Sequence, residues 1–240
     1  MSEDTLGEDT FGEAILGEDI GRRAALEAAE ARGLAMFDAI ERAGLIAPGK
    51  TEEELSEEIA AFAEEHFGVT QHWHKRIVRA GANTLCVYSE FPPLRTIAAD
   101  DTVFLDLGPV LADWEADLGR TYALGEDPQK KRLVADLPRL FDIVQAHYRS
   151  RHDITAEALY AFAQKTADEN GWHFGGDIAG HTIEGHFPHA PPPRDGRLIA
   201  AGNPSRLRDP DPQGRTRHWI LEIHLTDKAK TFGGFYERLL

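Results

Sequence analysis

The sequence has one cysteine, Cys86, in 240 residues. A lone thiol excludes an internal disulfide framework and any thiolate zinc cluster, and it makes a reducing, cytoplasmic setting the default expectation. No apolar run approaches the length of a membrane-spanning helix. Basic residues are scarce beside acidic ones: 26 Lys+Arg against 41 Asp+Glu, a formal net charge of −15. A chain so acidic is poorly suited to a nucleic-acid backbone or an anionic membrane as its main partner. Its first residues are acidic rather than basic and then apolar, which is not the pattern of a secretory signal. The 42% of hydrophobic and 28% of charged residues that are present are those of an ordinary globular protein, long enough for one large domain or two small ones.

Residues 1–20 are acidic and repeat Leu-Gly-Glu-Asp at 6–9 and 16–19. Their glycine and charge disfavour a packed helix, so a flexible tail is expected there, followed by one domain over 21–240. Leu26, Ala29, Leu34, Met36, Phe37 and Ile40 recur at helical spacing and predict a helix from about Arg22 to Ala43. Thr51-Glu52-Glu53-Glu54 is a capping box and opens a second helix to about His66. Alternation predicts strands at 72–79, 103–108, 111–122, 217–226 and 231–238, and helices are expected at 128–150 and 155–170. The stretch 171–189 is rich in Gly and His, and 190–216, rich in Pro, Arg and Asp, reads as a long loop. The order helix, helix, strands, helix, helix, strands predicts an α+β fold with antiparallel strands and the look of a duplicated half.

Four signals carry chemistry. Asp106 and Asp117 sit in strand-like segments joined by a short turn. With a two-residue loop near Leu111-Ala112 they face one another, their Cβ atoms about 4.5–5.5 Å apart. Carboxylates that close need a proton or a cation between them. His181, His186 and His189 fall within nine residues of a glycine-rich loop. Glu222 interrupts an apolar strand, Trp219 to Leu225, where a carboxylate is paired, metal-bound or turned outward by the alternation. Glu237 lies in the last strand, and alone it reads as a surface residue. Together Asp106, Asp117, His181, Glu222 and Glu237 form an oxygen-rich set with one imidazole, suited to two ions of the Mn, Fe, Co or Zn kind.

These segments resemble the pita-bread metallopeptidases: methionine aminopeptidases, Xaa-Pro aminopeptidases, prolidases and the related creatinases. Asp106-Leu107-Gly108 and Asp117-Leu118-Gly119-Arg120-Thr121-Tyr122 look like the family's paired-aspartate hairpin, Gly180-His181-Thr182-Ile183 like its Gly-His motif, and Leu221-Glu222 and Tyr236-Glu237 like its two glutamate strands. The resemblance implies two pseudo-symmetric halves around a curved, mainly antiparallel sheet. It implies two divalent ions, manganese first among them. Asp106 would bind one, His181 and Glu222 the other, and Asp117 and Glu237 both. The implied reaction is amide hydrolysis by a bridging water or hydroxide, with Glu222 transferring the proton and His186 or His189 donating to the carbonyl oxygen. The substrate implied is a small peptide or amide, as for an aminopeptidase or Xaa-Pro dipeptidase; homodimers are frequent in the family.

Some positions depart from the pattern. Tyr88 stands where family aminopeptidases carry a histidine, five positions after Asn83 of Gly81-Ala82-Asn83. A phenol donates a hydrogen bond but is a poor general acid, so Tyr88 is expected to touch substrate in a different way. Thr182 replaces a glycine, and no proline follows Glu222. The extra N-terminal domain usual in prolidases and creatinases is not seen, as in methionine aminopeptidases. Arg194, Arg197, Arg206, Arg208, Arg215 and Arg217 crowd the 190–216 loop, a solvated surface or a site for a substrate carboxylate. His72-x-His74 looks like a metal pair, but its strand is accounted for without one and it is read as structural. Two alternatives stand beside the peptidase: hydrolysis of a non-peptide C–N bond, as in creatinases, and a binding scaffold without catalysis.

Overall fold

The structure, a computed structural model, describes residues 5–188 and 196–240, with side chains from Asp19 onward. Helices α1 (Thr5–Arg42) and α2 (Glu52–Phe67) lead into β1 (Ile77–Ala80), a 3-10 turn (Gly81–Leu85), β2 (Thr102–Leu107), β3 (Val110–Leu111), β4 (Trp114–Glu115) and β5 (Leu118–Ala123). Helices α3 (Pro128–Ser150) and α4 (Ala156–Glu169) follow, then β6 (His173–Phe174), β7 (Ile178–Ile183), β8 (Leu198–Ala200), β9 (His218–Thr226) and β10 (Gly233–Leu239). The main sheet runs β1-β2-β5-β10-β9-β7-β8, with β6 on β9, and every neighbouring pair in it is antiparallel. The expected α+β order is therefore the observed one.

Each half pairs two helices with its own strands. Alternation along β2 sends Val103, Leu105 and Leu107 into a core with Met36, Phe37 and Ile40 of α1 and Leu55 and Ile59 of α2. Along β9 it sends Trp219, Leu221, Ile223 and Leu225 into a second core with Leu133, Leu137 and Leu140 of α3 and Leu159 of α4. Burying such a side chain contributes about 1.5–3 kcal/mol, so the two cores fix which face of the sheet the helices cover. The residues between, Phe104 and Asp106 on β2, Ile220, Glu222 and His224 on β9, turn to the other face.

Three local readings change. The α1 backbone is helical from Thr5, well before Arg22, and Asp19 is buried, accepting from the Thr216 amide (2.9 Å) and hydroxyl (2.8 Å) and pairing with Arg22 (2.9 Å). Residues 1–4 of the expected tail lie outside the described residues. The strand expected at 72–79 is in the ladder only from Ile77; His72 makes a single bridge to Pro109. The 171–189 stretch contains two strands, β6 and β7, so His181 is a ladder residue rather than a loop residue. Thr51 does cap α2 with a complete capping box.

Candidate metal centre

The centre of the sheet is the point where three strands, β2, β9 and β10, bring acids to one face. On β5, Gly119 pairs with Asp106 of β2 on one side and with Glu237 of β10 on the other. Glu237 in turn pairs with Glu222 of β9. His181 of β7 pairs with Ile220, two residues from Glu222. Gly119 makes this crowding possible: a Cβ there would lie 2.5 Å from the Phe235 ring and 3.0 Å from Glu237 Cβ. Gly180 does the same for β7, since a Cβ there would fall 2.0 Å from the Ile220 carbonyl oxygen at φ +140°.

The aspartate pair is close but not face to face. Leu111 pairs with Trp114, so the two-residue turn is Ala112-Asp113, one position later than expected, and Asp106 faces Gly119. Both turn residues have positive φ, 52° and 67°, the geometry of a tight hairpin that ordinarily uses Asn-Gly. Ala-Asp gives a weak signal for it. Asp117 therefore lies diagonally from Asp106 on the same face, still within side-chain reach.

The side chains converge around Asp117. Its Oδ2 lies 3.2 Å from His181 Nε2, which is also 3.6 Å from Glu222 Oε1 and 3.7 Å from Glu237 Oε1. Its Oδ1 lies 3.0 Å from Nε2 of His74, a residue read as structural from the sequence, and the same nitrogen is 3.6 Å from Asp106 Oδ1. Two groups have metal-binding spacing: His74, Asp106 and Asp117, and Asp117, His181 and Glu237. The alternation of 72–79 hid His74 because that segment leaves the ladder before Ile77 and turns its ring inward. The one signal available was Gly108, whose missing side chain makes room for the ring.

The electrostatics follow from crowding. Burial, and then the neighbouring acids, hold Glu222 up to about 8. Burial also lifts Asp106 and Glu237 above the ordinary carboxylate range. Burial works the same way on Asp117, yet the two imidazoles beside it hold it low. Burial alone would depress both histidines, but Asp117 lifts His181 well above its usual value and His74 to about 9. Glu237 Oε2 is buried and accepts no hydrogen bond among the described residues. Four carboxylates and two imidazoles with an orphaned buried oxygen fit divalent cations, which supply the charge that protons otherwise must.

Around this centre, Tyr88 is 52% exposed, with its ring 6.1 Å from that of His74 and the Lys75 ammonium 4.3 Å above it. Trp73 donates Nε1–H to Ala116 O (2.9 Å) and sets its ring between those of His74 and His181. His186 packs edge-on against Trp114 and lines a cleft of about 510 Å³ with Arg22, Glu184 and Arg215. His189 and residues 190–195 of the expected loop lie outside the described residues; β8 occupies part of the remainder.

The profile of metallopeptidase family M24 matches residues 23–206. Among solved structures, a prolidase from Thermococcus sibiricus is 21% identical, with a TM-score of 0.63 over 92% of this chain and 55% of that one. An X-Pro aminopeptidase from Thermotoga maritima is 18% identical, with a TM-score of 0.67 over 91% and 57%. A methionine aminopeptidase from Rickettsia prowazekii is 16% identical, with a TM-score of 0.64 over 91% and 92%. The chain thus spans little more than half the length of the first two and nearly all of the third, and at these identities the likeness is one of fold. No curated protein matches it in sequence.

Proposed function

The chain belongs to metallopeptidase family M24, and from that membership we propose that it is a dinuclear metal-dependent peptidase, an aminopeptidase or Xaa-Pro-type dipeptidase acting on short peptides. The observation that carries this reading is the convergence of Asp106, Asp117, His181, Glu222 and Glu237 on one buried point, with Glu237 Oε2 left without a donor. These five residues would hold two divalent ions, manganese foremost, with cobalt, iron and zinc as the other candidates. When bound, such ions supply Lewis acidity toward a scissile carbonyl and a water acidified to near neutrality.

The protein's own part is positioning and proton traffic. Asp106 and Glu237 are held by the ladder, and Asp117 lies immediately before β5. Glu222 would take the proton of the attacking water at its carboxylate and return it to the leaving amine. Tyr88, at the rim, orients the substrate by donating its hydroxyl. Burial pushes its pKa up, so it donates a hydrogen bond without losing the proton. His186, on the cleft beside Trp114, and His189 are the two candidates for donation to the tetrahedral oxyanion. The free thiol Cys86 supports a cytoplasmic setting, and a homodimer accords with the fold.

Elemental analysis after equilibration with Mn²⁺ tests the reading: about two ions per chain are expected. A screen of Xaa-Pro dipeptides, Met-peptides and small amidino compounds then separates peptidase from creatinase-like hydrolysis. No uptake of Mn²⁺, Co²⁺, Fe²⁺ or Zn²⁺ would overturn it in favour of a binding scaffold.

A further inference from the structure

His74 and His181 are built alike. His181 Nδ1 lies 3.1 Å from the carbonyl of the next residue, Thr182, and its Nε2 faces Asp117 Oδ2. His74 Nδ1 lies 2.8 Å from the carbonyl of the next residue, Lys75, and its Nε2 faces Asp117 Oδ1. An N–H on Nδ1 donating to that carbonyl leaves the lone pair on Nε2, the arrangement found behind metal-bound imidazoles. In His74 that lone pair points at two carboxylate oxygens, 3.0 Å and 3.6 Å away, a contact that is repulsive unless a proton, as in the metal-free protein, or a metal ion in its place lies between. The His74 side chain is only 8% exposed, so bulk water does not relieve it.

The surroundings are shaped for this ring. A Cβ on Gly108 would lie 2.2 Å from His74 Cδ2 and 2.4 Å from Nε2. The Trp73 ring stands edge-on at 4.6 Å and is itself anchored to Ala116 O. His74 comes from the segment entering β1, in the first half, and His181 from β7, in the second. One imidazole thus reaches Asp117 from each half.

Resting on the dinuclear reading above, we propose that His74 is a sixth protein ligand, coordinating through Nε2 the ion held by Asp106 and Asp117. Each ion then has one nitrogen donor. Imidazole favours Co²⁺, Fe²⁺ and Zn²⁺ over Mn²⁺ more than carboxylates do, so His74 biases the first position toward those ions.

Proton NMR of the Co²⁺-loaded protein tests this without any substrate. A histidine bound through Nε2 carries a solvent-exchangeable Nδ1–H shifted far outside the ordinary range by the paramagnetic ion. Two such signals are expected in the wild type. His74→Gln should lose one, keep that of His181, and weaken one of the two Co²⁺ affinities by more than tenfold. Gly108→Ala, which keeps the imidazole but displaces it, should do the same. Two bound Co²⁺ ions with a single exchangeable signal in the wild type, or unchanged signals and affinities in His74→Gln, would overturn the proposal and make His74 a hydrogen-bonding neighbour of the substrate. No Co²⁺ uptake at all would overturn the dinuclear reading together with it.

Discussion

Glu222 and Glu237 stand directly opposite one another across β9 and β10, on the face that also carries His181 and Asp106. Two carboxylates at one register position cost stability in the absence of cations, because burial and mutual repulsion both oppose their charge.

Removing one of them should therefore have opposite effects with and without metal. In metal-free protein, Glu237→Gln is expected to leave the melting temperature unchanged or raise it. With Mn²⁺ in excess, the wild type should gain about 2.7 kcal/mol at a hundred times its dissociation constant, and the variant markedly less. Paired thermal melts with and without Mn²⁺ check this. A variant that keeps the full metal-induced rise would remove Glu237 from the ligand set.

Metal uptake should release protons. Without metal, Glu222 is held up to about 8 by burial among acids, and His74 is pushed to about 9 by Asp117 despite its burial. Both carry protons at neutral pH, and a cation must displace them. The apparent affinity is thus expected to climb with pH through neutrality and to level off near the higher of these values. Calorimetry in buffers of different ionisation heat measures the released protons; an affinity flat across that range contradicts the assignment.

The turn between the two glutamate strands is organised by Asp227. Its carboxylate accepts from the amides of Thr231 (2.6 Å), Phe232 (3.0 Å) and Ala229 (3.2 Å) and from the Thr231 hydroxyl (3.0 Å). Asp227→Ala should destabilise the protein by about 2 kcal/mol, since it strips acceptors from partly buried amides. Burial opposes the charge, but these amides hold the carboxyl below its usual range. Its contribution is therefore complete above the unfolded value near 3.8 and is lost as pH falls through the lower folded value. Asp227→Asn should flatten that acid limb in denaturant titrations.

Gly180→Ala is expected to be among the most damaging single substitutions. The added carbon meets a backbone oxygen at 2.0 Å, which cannot move aside as a side-chain tip does, and φ is +140°. A loss of more than about 3 kcal/mol is expected, with His181 displaced from Asp117. Circular dichroism melts and Co²⁺ spectra report the two effects separately.

Much of this was legible in the sequence because the relevant patterns are short and local. The Thr51 capping box, the α3 and α4 boundaries and the faces of β9 follow from spacing alone. The five proposed ligands stood out through motifs whose glycines, Gly119 and Gly180, mark places where backbone or acid crowds in. Three things were not legible. Ala112-Asp113 lacks the residues usual for a turn with two positive φ values, so the turn lies one position later than expected and the partner of Asp106 is Gly119, two residues beyond Asp117. The Gly and acid content before Arg22 argued against helix, while Asp19 gains a long-range partner in Thr216 that no local rule foresees. His74 depends on a vacancy at Gly108, 34 positions away, and only the folded sheet brings them together.

The strand order has a consequence for how the molecule comes into being. β10 follows every other strand in the chain, yet it sits in the middle of the sheet, between β5 and β9. Until it inserts, the sheet is two unconnected pieces, one holding the aspartates and the other His181 and Glu222. The proposed five-residue set is therefore divided between the two pieces, and it is complete only when β10 brings Glu237 and joins them. A chain cleaved before Gly233 should therefore lose the second of the two proposed ions, while His74, Asp106 and Asp117 stay together in the first piece.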